Sequence, residues 1–457
     1  MLALILSPLY IFATWLIAIM VNRWLKACCK HTHILVRVLI YGLFVFAASA
    51  MPIGFLLPYS KIKFAFQHYG SMWLGVLMYS LFPAFIYLVF CLVWRLHKKR
   101  AGSTESMERP RQIAIGWASA GIIFTLVICI YGFGHATDTR ITNYSIELPK
   151  KNCKLDELNA VMVADMHMGA NIGVPEMEKM VGFINECEPD IVFFCGDIFD
   201  NIYEALDDPE KLISLYRQIN SRYGVYACYG NHDVDEPVLA GFTFNQEEKK
   251  VSDPRMDEFL EKAGVKLLRD EGVLIDDSFY VYGRPDHNRP GRDITVRNNP
   301  KEIVDKIDTE LNAYYATESN GYVDSNENKF SNDENKVIES TDKYLGSDDV
   351  LAKNYDWLLG LSDEAPEIDY PVIVLDHEPK ELEELSKAGI DLTLSGHTHD
   401  GQIFPANILL SFISENSYGL KQVGNMTDIV TSGVGLFGPY MRVGTISEVC
   451  NIKIIFK

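Results

Sequence analysis

The chain has 457 residues, 48% of them hydrophobic, and carries 42 Lys and Arg against 61 Asp and Glu, a formal net charge of −19. The charge is divided along the chain: residues 1–134 hold 12 basic and 2 acidic residues, which leaves 30 basic and 59 acidic residues, a net of −29, for 135–457. So acidic a second part lacks the basic surface that supplies most affinity for a phosphate backbone, which argues against nucleic acid as a partner.

The first part contains four apolar runs, about 2–21, 38–57, 73–94 and 113–133. Each is close to the ~20 residues that cross a bilayer core as a helix. Trp24, Trp73 and Trp94 lie near run ends, where an indole suits the membrane interface. Arg23, Lys26, Lys30 and Arg37 follow the first run, and Arg95, Lys98, Lys99, Arg100, Arg109 and Arg111 follow the third, whereas Pro58–Gly70 offers Lys61 and Lys63. Positive charge stays on the cytoplasmic side. The pattern predicts a multi-pass plasma-membrane protein with everything after Gly134 on the extracytoplasmic side. Run one has no basic segment before it, so it reads as a retained span and not a cleaved leader. The runs contain no acidic residue, which argues against an ion pathway and hence against transport.

Residues 135–157 read as a linker, and from 158 the chain alternates apolar runs with amphipathic ones. "AVMVAD" (160–165) precedes a helical stretch from about Pro175, "DIVFFCGD" (190–197) one near Pro209–Ser221, and "GVYACYGNHD" (224–233) one near Pro254–Ala263. "YPVIVLDHEP" (370–379), "KELEELSKAG" and "IDLTLSGHTH" (390–399) repeat the unit. Strands alternating with helices predict an α/β domain with a mostly parallel sheet, and later runs such as "DIVTSGVG" and "NIKIIFK" predict strands of a second sheet. Residues 306–350 are rich in Asn, Ser, Asp and Glu, too polar to offset their ordering entropy, and are expected to form a disordered insertion. The second part has five cysteines, of which Cys195 and Cys228 lie inside apolar runs, where a thiol acts as a small buried hydrophobe.

Five of the apolar runs end in potential metal ligands: "DMHMG" brings Asp165 and His167, "GDIFD" Asp197 and Asp200, "GNHD" Asn231, His232 and Asp233, "DHEP" His377, and "GHTHD" His397 and His399. Of seven histidines after Gly134, five are in these turns. The carboxyl ends of strands in an open α/β sheet converge on one crevice, so five turns aim at one place. Each motif alone has an ordinary reading as a turn or helix cap. Mixed imidazole, carboxylate and amide ligands suit Mn, Fe or Zn, whereas Mg and Ca prefer oxygen. A carboxylate can bridge two such ions, which lower the pKa of a shared water and stabilise both attacking and leaving oxygens of a displacement at phosphorus. Gly230 and Gly396 would admit close backbone approach or a left-handed turn.

The ordered series Asp-x-His, Gly-Asp-x-x-Asp, Gly-Asn-His-Asp, His and Gly-His-x-His resembles that of the calcineurin-like metallophosphoesterases, over about 158–457 outside the insertion. The apolar first part and the closing "GVGLFGPYMRVGTISEV" are similar to the membrane-associated YkuE/YaeI-like branch, which includes transmembrane proteins with a metallophosphoesterase domain. The resemblance implies two mixed β-sheets flanked by helices and two divalent ions, manganese favoured. Asp165, His167, Asp197 and His399 would hold one ion, and Asp197, Asn231, His377 and His397 the other, with Asp197 as bridge. It further implies that His232 stabilises or protonates the leaving group and that Asp200 orients it; Asp233 could share that role or form a plain turn. Arg284 and Arg442 are candidates for binding phosphate oxygens. The expected function is a membrane-anchored phosphoesterase acting on a phosphodiester, a phosphomonoester or a lipid-linked pyrophosphate by attack of a metal-bridging hydroxide. Relatives in the branch act on phosphodiesters and, in some, on the pyrophosphate of a UDP-diacylglucosamine. The alternative is an inactive sensor that recognises a phosphate ligand on the same fold.

Overall fold

The computed structural model describes residues 2–29, 33–100, 111–234, 238–239, 242–243, 251–294, 296–321 and 368–457. Four helices come first: α1 (Leu2–Cys28), α2 (Ile34–Leu56), α3 (Lys61–Arg100) and α4 (Arg111–His135). All four are long and apolar enough to cross a membrane. Helix α3 runs well past its predicted span and absorbs most of the expected loop 58–70, because its first turns pack on α2. Gly54 lies against Gln67 and Gly70 against Met51, so close that a Cβ at either glycine would overlap its neighbour. Small residues allow this approach between apolar helices.

The remaining chain forms two six-stranded sheets packed face to face. The first has the order β1 (Thr139–Leu148), β14 (Ser447–Phe456), β2 (Glu157–Val163), β3 (Ile191–Cys195), β4 (Val225–Cys228) and β7 (Val265–Leu267). The second runs β12 (Gly419–Val423), β13 (Met426–Val430), β11 (Leu392–Ser395), β10 (Val372–Asp376), β9 (Phe279–Arg284) and β8 (Glu271–Ile275). Both are mixed: β14 is antiparallel to β2, and β12 and β8 run against their neighbours, while the other pairings are parallel. A further pair, β5 (Val238–Leu239) and β6 (Phe242–Thr243), follows the "GNHD" turn.

Strand alternation explains the layers. On β2, Leu158, Ala160 and Met162 face the core between the sheets, whereas Val161 and Val163 face the cluster formed with α5 (Val174–Glu186), α6 (Pro209–Tyr216) and α7 (Pro254–Ala263). These helices stand where the sequence places them. None of the nine cysteines, all among the described residues, forms a disulfide, and Cys153, Cys195, Cys228 and Cys450 are buried between the sheets as small apolar groups.

Two boundaries differ from expectation. The linker 135–157 contains β1, whose ten residues pair in parallel with β14, Thr139 opposite Ser447. The polar insertion begins later than 306, since α8 (Pro300–Gly321) buries Ile303, Val304, Ile307 and Leu311 against the second sheet. Residues 322–367, with the rest of the expected insertion, lie outside the described residues.

Asp428 on β13 lies buried, accepting from Thr393 Oγ1 (2.6 Å) and Asn416 Nδ2 (2.8 Å), and burial pushes its pKa up to about 6. Since the folded pKa lies above that of the unfolded chain, ionisation costs stability, from about pH 4 upward and fully above about pH 6. The cost is on the order of 3 kcal/mol for about two pKa units. Asp428→Asn is therefore expected to raise the thermal unfolding midpoint at pH 7.5 and to leave it unchanged at pH 4, as differential scanning fluorimetry can check.

Candidate metal centre

The five predicted turns meet at the carboxyl ends of β2, β3, β4, β10 and β11. The backbone binds them together: Asp165 N–H donates to Gly196 O (3.0 Å), His167 N–H to Asp197 O (2.9 Å) and Gly396 N–H to His377 O (3.0 Å). The Asp165 carboxylate accepts from His397 N–H at 3.0 Å. Asp233 lies buried as a bracket, accepting from Gly230 N–H (2.7 Å) and Phe199 N–H (2.8 Å), so it fixes the turns and does not touch His232 Nδ1. Burial and the nearby Asp197 push its pKa up to about 7.

The turns are tight. Asp165, His167, Asp197, His397 and His399 all have φ between 45° and 70°, a left-handed conformation that costs a non-glycine residue roughly 1–3 kcal/mol and collects at functional sites. Gly230 and Gly396 serve close approach and not a left-handed φ: a Cβ at 230 would overlap the Asp197 carboxylate, and one at 396 that of Asp165.

The side chains form three groups whose ligand atoms lie within 4.8 Å of one another: two gather the predicted ligands, Asp165 with His167 and His399, and Asp197 with His377 and His397, and a third sets Asp200 with His167 and His232. His167 Nε2 faces His399 Nε2 at 3.1 Å, Asp197 Oδ2 lies 2.9 Å from His377 Nε2, and Asn231 Oδ1 lies 2.8 Å from His397 Nδ1. Donors that share one ion at about 2.0–2.2 Å are themselves about 3 Å apart, so these separations suit residues that would hold an ion. His377 Nδ1 donates to Cys195 O (2.9 Å), so its buried Nε2 is the nitrogen that faces Asp197 Oδ2, 2.9 Å away. A proton on Nε2 or a divalent ion shared by the two atoms satisfies this pair, and the donor set suits either. The Asp197 carboxyl is pushed up by burial, but His377, His232 and His167 outweigh this and hold it well below the usual range.

Asp197 Oδ2 also lies 3.7 Å from His167 Nε2 and so stands between the two groups, while Oδ1 accepts from His232 N–H (2.7 Å).

His232 is buried beside His167, ring centroids 5.0 Å apart, and its Nδ1 contacts Asn201 Oδ1 at 2.5 Å. Asp200, the partner anticipated from sequence, lies 3.8 Å from His167 Nδ1 and within 4.8 Å of a His232 ring nitrogen, without a hydrogen bond to it. Asn201 is the hydrogen-bond partner of His232 Nδ1. It is fully buried with φ 65°, a left-handed turn that asparagine tolerates well, and this turns its amide inward in place of the half-exposed Asp200.

Arg284 and Arg442 are both 0% exposed. Arg284 pairs with Asp376 and Glu381 (2.7 Å each), which Arg297 also bridges, and Arg442 donates to the carbonyls of Ser432, Gly433, Gly435 and Ile446. Their guanidinium donors bind the protein's own frame. The arginine that reaches the centre is Arg289, which donates to Asn231 O (2.6 Å) and helps hold the pKa of His232 down. Asp286 secures its loop by accepting from Asn288 and Arg289 N–H. Phe437 also went unpredicted: its ring stands 5.1–6.3 Å from those of His167, His232 and His399.

The model of the calcineurin-like phosphoesterase family matches residues 158–401, more than half of the chain and all five turns. The chain belongs to that family. The phosphoesterase is 25% identical over 389 residues, 83% of this chain and 73% of the other, to the "Transmembrane protein with metallophosphoesterase domain" of Danio rerio. It is 23% identical over 364 residues, 79% of this chain and 66% of the other, to the Bos taurus protein of the same name. A third relative, "UDP-2,3-diacylglucosamine pyrophosphatase LpxG" of Chlamydia trachomatis, is 23% identical over 264 residues, 58% of this chain and 70% of its own. The phosphoesterase is therefore a metal-dependent phosphate-ester hydrolase associated with a membrane.

Proposed function

We propose that the protein is a dinuclear phosphoesterase that works at the surface of the plasma membrane, on its extracytoplasmic side. Asp165, His167, Asp197 and His399 hold one divalent ion, and Asp197, Asn231, His377 and His397 the other. The observation that carries this reading is the position of Asp197 Oδ2 between His167 Nε2 and His377 Nε2. The mixed nitrogen and oxygen donors favour manganese, iron or zinc, with manganese first. Bound there, two ions make hydroxide available near neutral pH and take up charge on the phosphoryl oxygens.

The chain's own residues supply the rest. Asn201 Oδ1 accepts a hydrogen bond from His232 Nδ1–H and so presents Nε2 to the leaving group, and Arg289 stands beside it to hold a phosphate oxygen. A charge-assisted hydrogen bond of about 1.5–3 kcal/mol corresponds to about 10- to 100-fold in affinity. Arg289→Ala is expected to raise KM by that amount with metal content unchanged, and Arg289→Lys to recover part of it, as steady-state kinetics and elemental analysis would show.

A lipid-linked phosphate or pyrophosphate is the substrate class that the membrane helices favour, since anchoring raises the effective concentration of the centre toward other bilayer components. The pyrophosphatase named among the relatives supports the same class. The test uses the full chain in lipid nanodiscs, with metal content per chain and manganese-supplemented hydrolysis of a chromogenic diester, a chromogenic monoester and a lipid pyrophosphate. Two ions per chain and turnover, highest on the lipid, are expected. A folded protein that takes up no metal would overturn the reading.

A further inference from the structure

Between Asp400 and Glu415 the sequence "GQIFPANILLSFIS" carries no charge, although it belongs to the acidic part of the chain. It leaves the domain at Ile403 and folds into a short helix, Ala406–Leu410, and a turn. Phe404, Ile408, Leu409, Phe412 and Ile413 are exposed, Phe412 by 80% and Ile413 by 79%. Helical backbone bonds continue past Leu410, Ser411 N–H to Asn407 O and Ser414 N–H to Leu410 O, so the spacing 408, 409, 412 and 413 gathers those four on one side, with Phe404 at the base of the segment. Single exposed apolar side chains are ordinary, but a contiguous group of this size marks a contact.

The base of the segment shows what it contacts. Tyr79 of α3 donates from its hydroxyl to Phe404 O (2.8 Å), and Ile403 packs in one cluster with Tyr79 and with Cys129 of α4. Met441 and Val443 close that cluster from the domain side, and Arg442 N–H donates to Gly132 O (3.0 Å). Thr125 Oγ1, which approaches Tyr79 O at 3.4 Å, and Cys129 lie ten and six residues before the end of α4 at His135. At 1.5 Å per residue they are roughly 9–15 Å inside that end of the helix. Since α4 is long and apolar enough to span as far as His135, the exposed apolar face starts alongside that candidate span and not beyond its end.

We infer that Phe404–Ile413 is a membrane-interface wedge, seated in the headgroup and acyl boundary of the leaflet on the side of the catalytic domain. Its occupant is the bilayer itself. An uncharged segment with bulky apolar residues on one side binds at that depth by burying apolar area. The wedge is also tied to the metal centre. Gln402, next in chain to its base and three residues after His399, is buried, donates from Nε2 to the carbonyls of Phe437, Pro439 and Met441, and accepts from Phe437 N–H (2.8 Å). The strap that holds Phe437 against the three imidazoles therefore ends in the membrane surface. This inference is independent of the substrate and of the number of ions.

The test is photo-crosslinking of the full chain in phosphatidylcholine and phosphatidylglycerol nanodiscs, with benzoylphenylalanine placed singly at Phe412, Phe85 or Lys453. Phe85 is exposed on the spanning part of α3 and reports lipid contact. Lys453 lies six residues along β14 from Ser447, about 20 Å farther from the membrane end of the strand. Mass spectrometry is expected to find lipid adducts at positions 412 and 85 in similar yield and none at 453. Adducts at 85 without adducts at 412 would overturn the wedge. So would a chain-to-chain crosslink at 412 in place of lipid, which would assign the face to a second copy.

Discussion

Asp197→Asn is expected to abolish metal binding and to lower kcat/KM by at least about 10³- to 10⁴-fold, the several kcal/mol that a two-metal site supplies. The reasoning begins with one oxygen. Oδ2 lies 2.9 Å from His377 Nε2 and 3.7 Å from His167 Nε2, so a single substitution takes a ligand and a negative charge from both groups of donors. The other oxygen, Oδ1, accepts from His232 N–H, a bond the amide of asparagine can keep. Asp197→Ala cannot, and leaves a buried donor without a partner at about 1–3 kcal/mol. The two variants therefore separate metal binding from folding. Titrated with manganese, the wild-type protein gains thermal stability by mass action. Asp197→Asn is expected to unfold near the temperature of the metal-stripped wild type and to show no such gain, and Asp197→Ala to unfold lower. A manganese-dependent rise in Asp197→Asn equal to that of the wild type would remove Asp197 from the centre.

Asp197 is legible in the sequence because ligand chemistry is narrow. Few side chains can hold a divalent ion, strand ends are where an α/β sheet gathers side chains, and the five turns supplied both conditions in order. Helices α5, α6 and α7 were legible for a similar reason, since each opens on a proline at its first or second position and carries an apolar stripe. What local pattern does not encode is pairing between distant segments. Strand β1 reads as a linker because its partner β14 is 308 residues away, and it gains its identity from that ladder. Arginines posed the same problem. Arg284 and Arg442 sit beside motifs and look available, but Asp376, Glu381 and a ring of carbonyls claim them once the sheets pack. The exchange of Asn201 for Asp200 turns on one backbone dihedral that the sequence does not state, although the asparagine in "GDIFDN" is itself a signal for a left-handed turn.

The consequence for catalysis is a second large effect, at His232. Its Nδ1 proton is committed to Asn201 Oδ1, and burial, with His167 and Arg289 acting the same way, lowers its pKa to about 4. In the resting protein at neutral pH the ring is therefore neutral, with a bare Nε2. An approaching phosphate brings the negative charge that favours imidazolium, so the proton needed for the leaving oxygen is gained with the substrate. General acid catalysis of this kind contributes about 10²- to 10⁴-fold, and its size depends on how badly the leaving group needs the proton. His232→Ala is expected to lose that much in kcat on an alkyl phosphodiester and far less on a nitrophenyl one, whose anion leaves unaided, with metal content unchanged in both. Asn201→Leu is expected to give a smaller loss with the same leaving-group bias, because it frees the ring without removing it, whereas Asp200→Asn shows no such bias if Asn201 is the orienting residue. An equal loss on both substrates would assign His232 to holding charge on the phosphoryl group, and the proton would then have to reach the leaving oxygen from water.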